Sequence, residues 1–147
     1  MTNHAGLVLL VEDNSDDAAL TIAAFAKHQP GYAIVHMHDG KQALDFLHRR
    51  HEYSEREAVN PDLIFLDLKM PRVDGFSVLD DIRNAPGLQL IPVVVLTSSV
   101  EPRDLERAYR SGTNAYVAKP VDFSEFVSEM EHVSKFWLQI NQPPVAG

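Results

Sequence analysis

Five short apolar runs, rich in β-branched residues, punctuate the chain: Leu7 to Val11, Ala33 to Met37, Leu63 to Leu66, Pro92 to Leu96 and Ala115 to Ala118. After each comes a stretch whose apolar residues recur every three or four positions: Asp16 to Lys27, Lys41 to Arg49, Gly75 to Arg83, Arg103 to Arg110 and Phe123 to Ile140. That spacing gives a helix one apolar stripe, so the order predicts a strand followed by a helix, five times over. Three of the runs lack polar alternation, which requires cover on both faces of the strand. The predicted class is α/β, a doubly wound parallel sheet in a three-layer αβα sandwich.

Punctuation supports these boundaries. Asn14 or Ser15 can cap the first helix, Pro30-Gly31 breaks after it, Asn60-Pro61 precedes the third strand, and Gly112 ends the fourth helix. The charged stretch Arg50 to Asn60 is either a long exposed connection or a helix extension. One domain, residues 7–141, is expected, with an N-terminal extension at 1–6 and a flexible Pro- and Gly-containing tail at 142–147.

Bulk properties narrow the classes. The 147 residues and 45% hydrophobic content suit one globular core, and the net charge of −8 offers no basic face for nucleic acid. No cysteine is present, which removes disulfides and thiolate chemistry and is compatible with a cytoplasmic location. Neither a signal-like start nor an apolar run of membrane-spanning length is found, so no membrane association is expected.

The chemistry lies just past the apolar runs, where open α/β sheets collect their ligands. Glu12 and Asp13 follow the first run, Asp67 the third, Thr97 the fourth and Lys119 the fifth. Carboxylates brought together repel unless a divalent cation sits among them, and oxygen donors of this kind suit Mg²⁺. The cation and the Lys119 ammonium could neutralise a transferring phosphoryl group, with Asp67 as nucleophile and Thr97 as a hydroxyl donor beside the small Ser98. Competing motifs fail: no G-x-G-x-x-G follows the first run, no G-K-[ST] occurs, and Lys69 stands where aspartyl phosphatases carry a second aspartate. His36 and His38 share one strand face without an evident third ligand, and are assigned no role.

Taken together, Val11-Glu12-Asp13-Asn14, Asp67-Leu68-Lys69-Met70-Pro71 with Asp74-Gly75, Val95-Leu96-Thr97-Ser98, and Gly112 to Pro120 ending in Ala118-Lys119-Pro120 resemble the receiver domain of bacterial response regulators. The resemblance covers nearly the whole chain. It implies the flavodoxin-like, CheY-like sheet order 2-1-3-4-5, with Asp67 as phosphoacceptor for a sensor histidine kinase. It further implies Mg²⁺ held by Asp13, Asp67 and the Lys69 carbonyl, with Glu12 acting through water, Lys119 paired with the phosphoryl group, and Thr97 and Tyr116 as switch residues. The chain would then be no conventional enzyme, but a receiver that promotes its own Mg²⁺-dependent phosphorylation and dephosphorylation. The Lys119-Pro120 bond resembles the family's cis peptide. Asp16 and Asp17 read as first-turn carboxylates favoured by the helix dipole.

The apolar positions of the last helix run through Phe126, Met130, Val133, Trp137 and Ile140, further than a sheet flank requires. They fold back over the domain or, as we favour, form a homodimer seam of Met130, Val133, Phe136, Trp137 and Ile140. The Phe136-Trp137-Leu138 ending and the 50–60 connection resemble single-domain regulators associated with phytochrome kinases. No output domain is expected, so the signal would leave through a protein contact. The alternative is a receiver-shaped interaction module that is not phosphorylated.

Overall fold

A computed structural model describes residues 6–144 of the chain. The expected extension and tail therefore fall largely outside the described residues. Five parallel strands, β1 (Gly6–Val11), β2 (Tyr32–Met37), β3 (Leu63–Leu66), β4 (Val93–Thr97) and β5 (Ala115–Ala118), form one sheet in the order β2-β1-β3-β4-β5. Five helices alternate with them: α1 (Ser15–His28), α2 (Gly40–His48), α3 (Gly75–Asn84), α4 (Pro102–Arg110) and α5 (Phe123–Lys135).

The three unalternated runs are the three inner strands, and their side chains divide the core. Val8, Leu10, Leu63, Phe65, Val94 and Leu96 pack with Ala18, Phe25, Phe126 and Met130 beneath α1 and α5. Leu9, Val11, Ile64, Leu66 and Val93 meet Ala43, Phe46, Val78 and Leu79 of α2 and α3 on the opposite face. A third cluster, Leu68, Phe76, Val95 and Ala108, lies beneath α4 and carries Tyr116 against it. Each strand interior thus faces apolar helix stripes on both sides, which is why alternation is absent from these runs.

Local caps set the helix starts. The side chains of Asn14, Asp39, Asp74 and Asp122 accept from backbone N–H groups in the first turns of α1, α2, α3 and α5, and Pro102 opens α4. The 50–60 segment holds a 3₁₀ turn at His51–Tyr53 and then an irregular connection. Arg56 anchors it, donating to the Phe46 carbonyl at 3.0 Å with its guanidinium 4.0 Å above the Phe46 ring.

The end of α5 departs from expectation. After Lys135 the helix widens into a π turn over Phe136–Ile140, closed by Asn141 N–H donating to the Phe136 carbonyl. The turn packs Trp137 and Leu138 onto the α1/α5 core, and Tyr32 Oη donates to the Leu138 carbonyl at 3.4 Å. Met130 is 1% exposed, so its place in a homodimer seam is corrected: it belongs to this chain's own core, because the α5 stripe that faces the sheet includes it. Val133 and Trp137 are likewise half-buried against that core, while Phe136 and Ile140 remain 45% and 55% exposed.

Candidate functional site

Parallel pairing of β1 with β3 brings the carboxylates together. Asp67 N–H donates to the Val11 carbonyl at 3.0 Å, so Asp67 stands beside the residues that leave β1. A Cβ at Gly75 would collide with the Asp67 backbone carbonyl, and only a glycine lets α3 start this close to the end of β3. Glu12, Asp13 and Asp67 each place one carboxylate oxygen within 4.8 Å of the others. Glu12 is buried, Asp67 half-buried and Asp13 exposed, which gives a pocket open on one side.

The electrostatics are those of unmet demand. Burial pushes the Glu12 carboxyl up to about 7; Asp67 adds to the rise, and Lys119 opposes it. Lys119 Nζ lies 2.5 Å from Glu12 Oε1 and 3.5 Å from Asp17 Oδ2. Burial alone would lower the Lys119 pKa, but the hydrogen bond and charge of Glu12 outweigh it and raise the value. One ammonium thus answers the charges of three carboxylates, Glu12, Asp67 and Asp17, while Asp13 adds a fourth to the cluster. Three clustered oxygen donors with a surplus of negative charge fit a hard divalent cation.

Every residue expected at the strand ends is found there, with two changes. Asp17, read as a helix-dipole carboxylate, also faces Lys119. The Lys119–Pro120 bond is trans, as no peptide bond among the described residues is cis; the four-carbon lysine stem carries the amine inward from the trans geometry. Lys69 turns its ammonium to Asp104, 3.2 Å away, so its side chain is engaged with α4.

The hydroxyl and aromatic groups are tied together through Ser99. Thr97 is buried, and its Oγ1 accepts from Ser99 N–H at 3.3 Å, so its own hydrogen is free to donate. Tyr116 packs against the cluster beneath α4 and its Oη donates to the Ser99 carbonyl at 3.0 Å. Ser98 is exposed beside them. Three residues that the sequence reading missed support the site: Ser99, Asp104, and His36, whose Nε2–H donates to the Glu12 carbonyl at 2.7 Å. For His36 the signal was its place on β2 opposite Leu10, two register steps from Glu12; Ser99 and Asp104 carry none in their spacing.

Comparison with known proteins agrees with this geometry. The family profile described as response regulator receiver domain matches residues 8–131. A probable methanogenesis regulatory protein, FilR2 of Methanothrix harundinacea, is 41% identical over 94% of this chain and 87% of its own length. Response regulator Rcp1 of Synechocystis is 32% identical over 99% of this chain and 97% of its own. Its Mn²⁺-bound crystal structure superposes with a TM-score of 0.87, covering 95% of this chain and 99% of that one. The phosphorylated cyanobacterial phytochrome response regulator RcpA superposes with a TM-score of 0.89 at 35% identity, covering 95% and 99%.

Proposed function

The chain belongs to the response regulator receiver domain family, and from that premise we propose that it accepts a phosphoryl group on Asp67 from a phosphohistidine of a sensor histidine kinase. The observation that carries this reading is the convergence of Glu12, Asp13 and Asp67 within 4.8 Å, with Lys119 reaching in from β5. An Asp67 carboxylate oxygen attacks phosphorus, the P–N bond to the imidazole breaks as the new P–O bond forms, and the imidazole leaves with the electron pair.

Asp13, Asp67 and the Lys69 carbonyl would hold Mg²⁺, with Glu12 acting through water. Bound there, the cation supplies charge neutralisation for the phosphoryl oxygens. The protein's own groups do the rest. The Lys119 ammonium, held by Glu12 and Asp17 and drawn by the Asp67 charge, supplies a cation for a phosphoryl oxygen on Asp67, and the Thr97 hydroxyl has a hydrogen left to give. The same groups serve hydrolysis of the acyl phosphate when water replaces the imidazole. Movement of Thr97 and the Tyr116 ring then passes the state to the surface of α4, β5 and α5.

The similarity to the phytochrome response regulator RcpA supports a phytochrome as the phosphodonor, and the absence of cysteine supports a cytoplasmic setting. The proposed homodimer seam is narrowed to the exposed Phe136 and Ile140; sedimentation of Phe136→Ser/Ile140→Ser should show a smaller species than the unmodified chain, and an unchanged distribution removes the seam. For Asp67, the test is intact mass after incubation with Mg²⁺ and acetyl phosphate. The unmodified chain gains one phosphoryl mass and Asp67→Asn gains none. No gain in the first, or an equal gain in the second, would leave the unphosphorylated interaction module as the better reading.

A further inference from the structure

Asp104 is a buried carboxylate that phosphoryl transfer does not itself require, and it stands at the centre of a connected set of bonds. It lies in the first turn of α4, and its side chain is 10% exposed. A first-turn carboxylate needs no burial to interact favourably with a helix end. Here it is instead enclosed by groups from two other segments: Ser99 Oγ donates to Oδ2 at 2.6 Å, and Lys69 Nζ lies 3.2 Å from the same oxygen. These partners, the Ser99 hydroxyl first and Lys69 next, outweigh burial and hold the Asp104 carboxyl below its ordinary pKa.

Ser99 spends every polar atom in the same network. Its N–H donates to Thr97 Oγ1, its hydroxyl oxygen accepts from Glu101 N–H at 3.3 Å, and its carbonyl accepts from Tyr116 Oη. The conformation of one loop residue therefore fixes both Thr97 and the Tyr116 ring. The Asp104 carboxylate fastens that residue to the first turn of α4, and through Lys69 to the loop that follows Asp67.

We propose that Asp104 is a positioning residue: through Ser99 it holds the Tyr116 ring inward and Thr97 Oγ1 in place before any phosphoryl group arrives. The proposal rests on the reading of Asp67 as acceptor only for its consequence, not for its geometry. Receivers whose competent arrangement is fractionally populated react in proportion to that fraction. An anchored Ser99 raises the fraction, so this chain is pre-set toward phosphorylation. Lys69 contributes less, because its side chain is 62% exposed and its pair with Asp104 is partly screened.

The test uses the full chain labelled with 3-fluorotyrosine, with the Tyr116 ¹⁹F resonance identified by its loss in Tyr116→Phe. In Asp104→Ala and Ser99→Ala that resonance is expected to move toward the position of an exposed tyrosine. Amide exchange across residues 99–101 should accelerate about tenfold, the scale of one charge-assisted hydrogen bond lost. Phosphorylation by acetyl phosphate should slow by a similar factor, and Asp104→Asn, which keeps an acceptor for Ser99 but not the charge, should fall between. An unmoved resonance and unchanged exchange in Ser99→Ala overturn the proposal, even if Asp104→Ala fails to fold. If the unmodified chain accepts no phosphoryl group, the reading of Asp67 fails alone, since the resonance and the exchange are both measured without it.

Discussion

Both ends of the sheet carry polar side chains, and the Arg83 cluster and the carboxylate pocket use them in opposite ways. At the amino end, Arg83 donates to the carbonyls of Gly112, Gln89 and Ile91 and to Asn114 Oδ1, and the same Asn114 oxygen accepts from Val93 N–H. Asp62 accepts from Leu7 N–H, and the single Thr113 hydroxyl hydrogen is shared between the Val93 and Ala115 carbonyls. Polar atoms there satisfy backbone groups that the loops leave over. At the carboxyl end, Glu12, Asp13 and Asp67 face one another, with Lys119 as the counter-charge. Arg83, Asp62 and Thr113 end with their bonds made, whereas the three carboxylates are held together with a surplus of negative charge that a bound cation would offset.

The largest effect that would break this contrast lies at the amino end. Burial lowers the pKa of the Arg83 guanidinium, yet Arg83 donates to three loop carbonyls, those of Gly112, Gln89 and Ile91. Arg83→Leu should cost about 3 kcal/mol in urea unfolding, roughly the sum of two charged hydrogen bonds after relaxation. Phosphoryl gain under native conditions should be unchanged. A loss below about 1 kcal/mol would mean that the loops satisfy themselves and that the amino end is not built by its side chains.

A somewhat smaller effect should appear at the carboxyl end when that surplus is offset. Saturating Mg²⁺ should stabilise the unmodified chain, by about 2.7 kcal/mol at a hundredfold excess over its dissociation constant. Asp13→Asn should lose most of that gain, and Arg83→Leu should keep it. A melting temperature indifferent to Mg²⁺ in the unmodified chain would show that the three carboxylates tolerate one another without a cation.

The contrast also explains what could be read in advance. Inner strands were legible because their apolar runs are local, and β3 and β5 have the expected limits. The carboxylates and Lys119 were legible because each follows directly on such a run. Illegible features depend on contacts across sequence. Arg56 stacked on Phe46 organises the 50–60 connection, Asp104 meets Ser99 and Lys69, and the π turn after Lys135 turns Trp137 toward Tyr32's side of the core. Helical periodicity could show that Met130 and Ile140 were apolar; it could not show that one faces the sheet and the other solvent, because the wider turn changes the rotation per residue after 135.

The smallest effect is also the sharpest, because its sign is unusual. Most substitutions at a half-buried position destabilise. Asp67→Asn removes a charge within 4.8 Å of Glu12 and Asp13 oxygens while keeping the shape of the side chain. In the presence of a chelator, that should raise stability by about 1 kcal/mol, the scale of one like-charge interaction at this separation in a solvent-open pocket. Adding Mg²⁺ should reverse the order, since the unmodified chain gains a ligand that the variant binds weakly. A substitution that stabilises without the cation and loses its advantage with it cannot be explained by packing, which is the same in both conditions. If Asp67→Asn instead destabilises in chelator, Lys119 alone already balances the pocket, and the two ends of the sheet differ in residue type but not in kind.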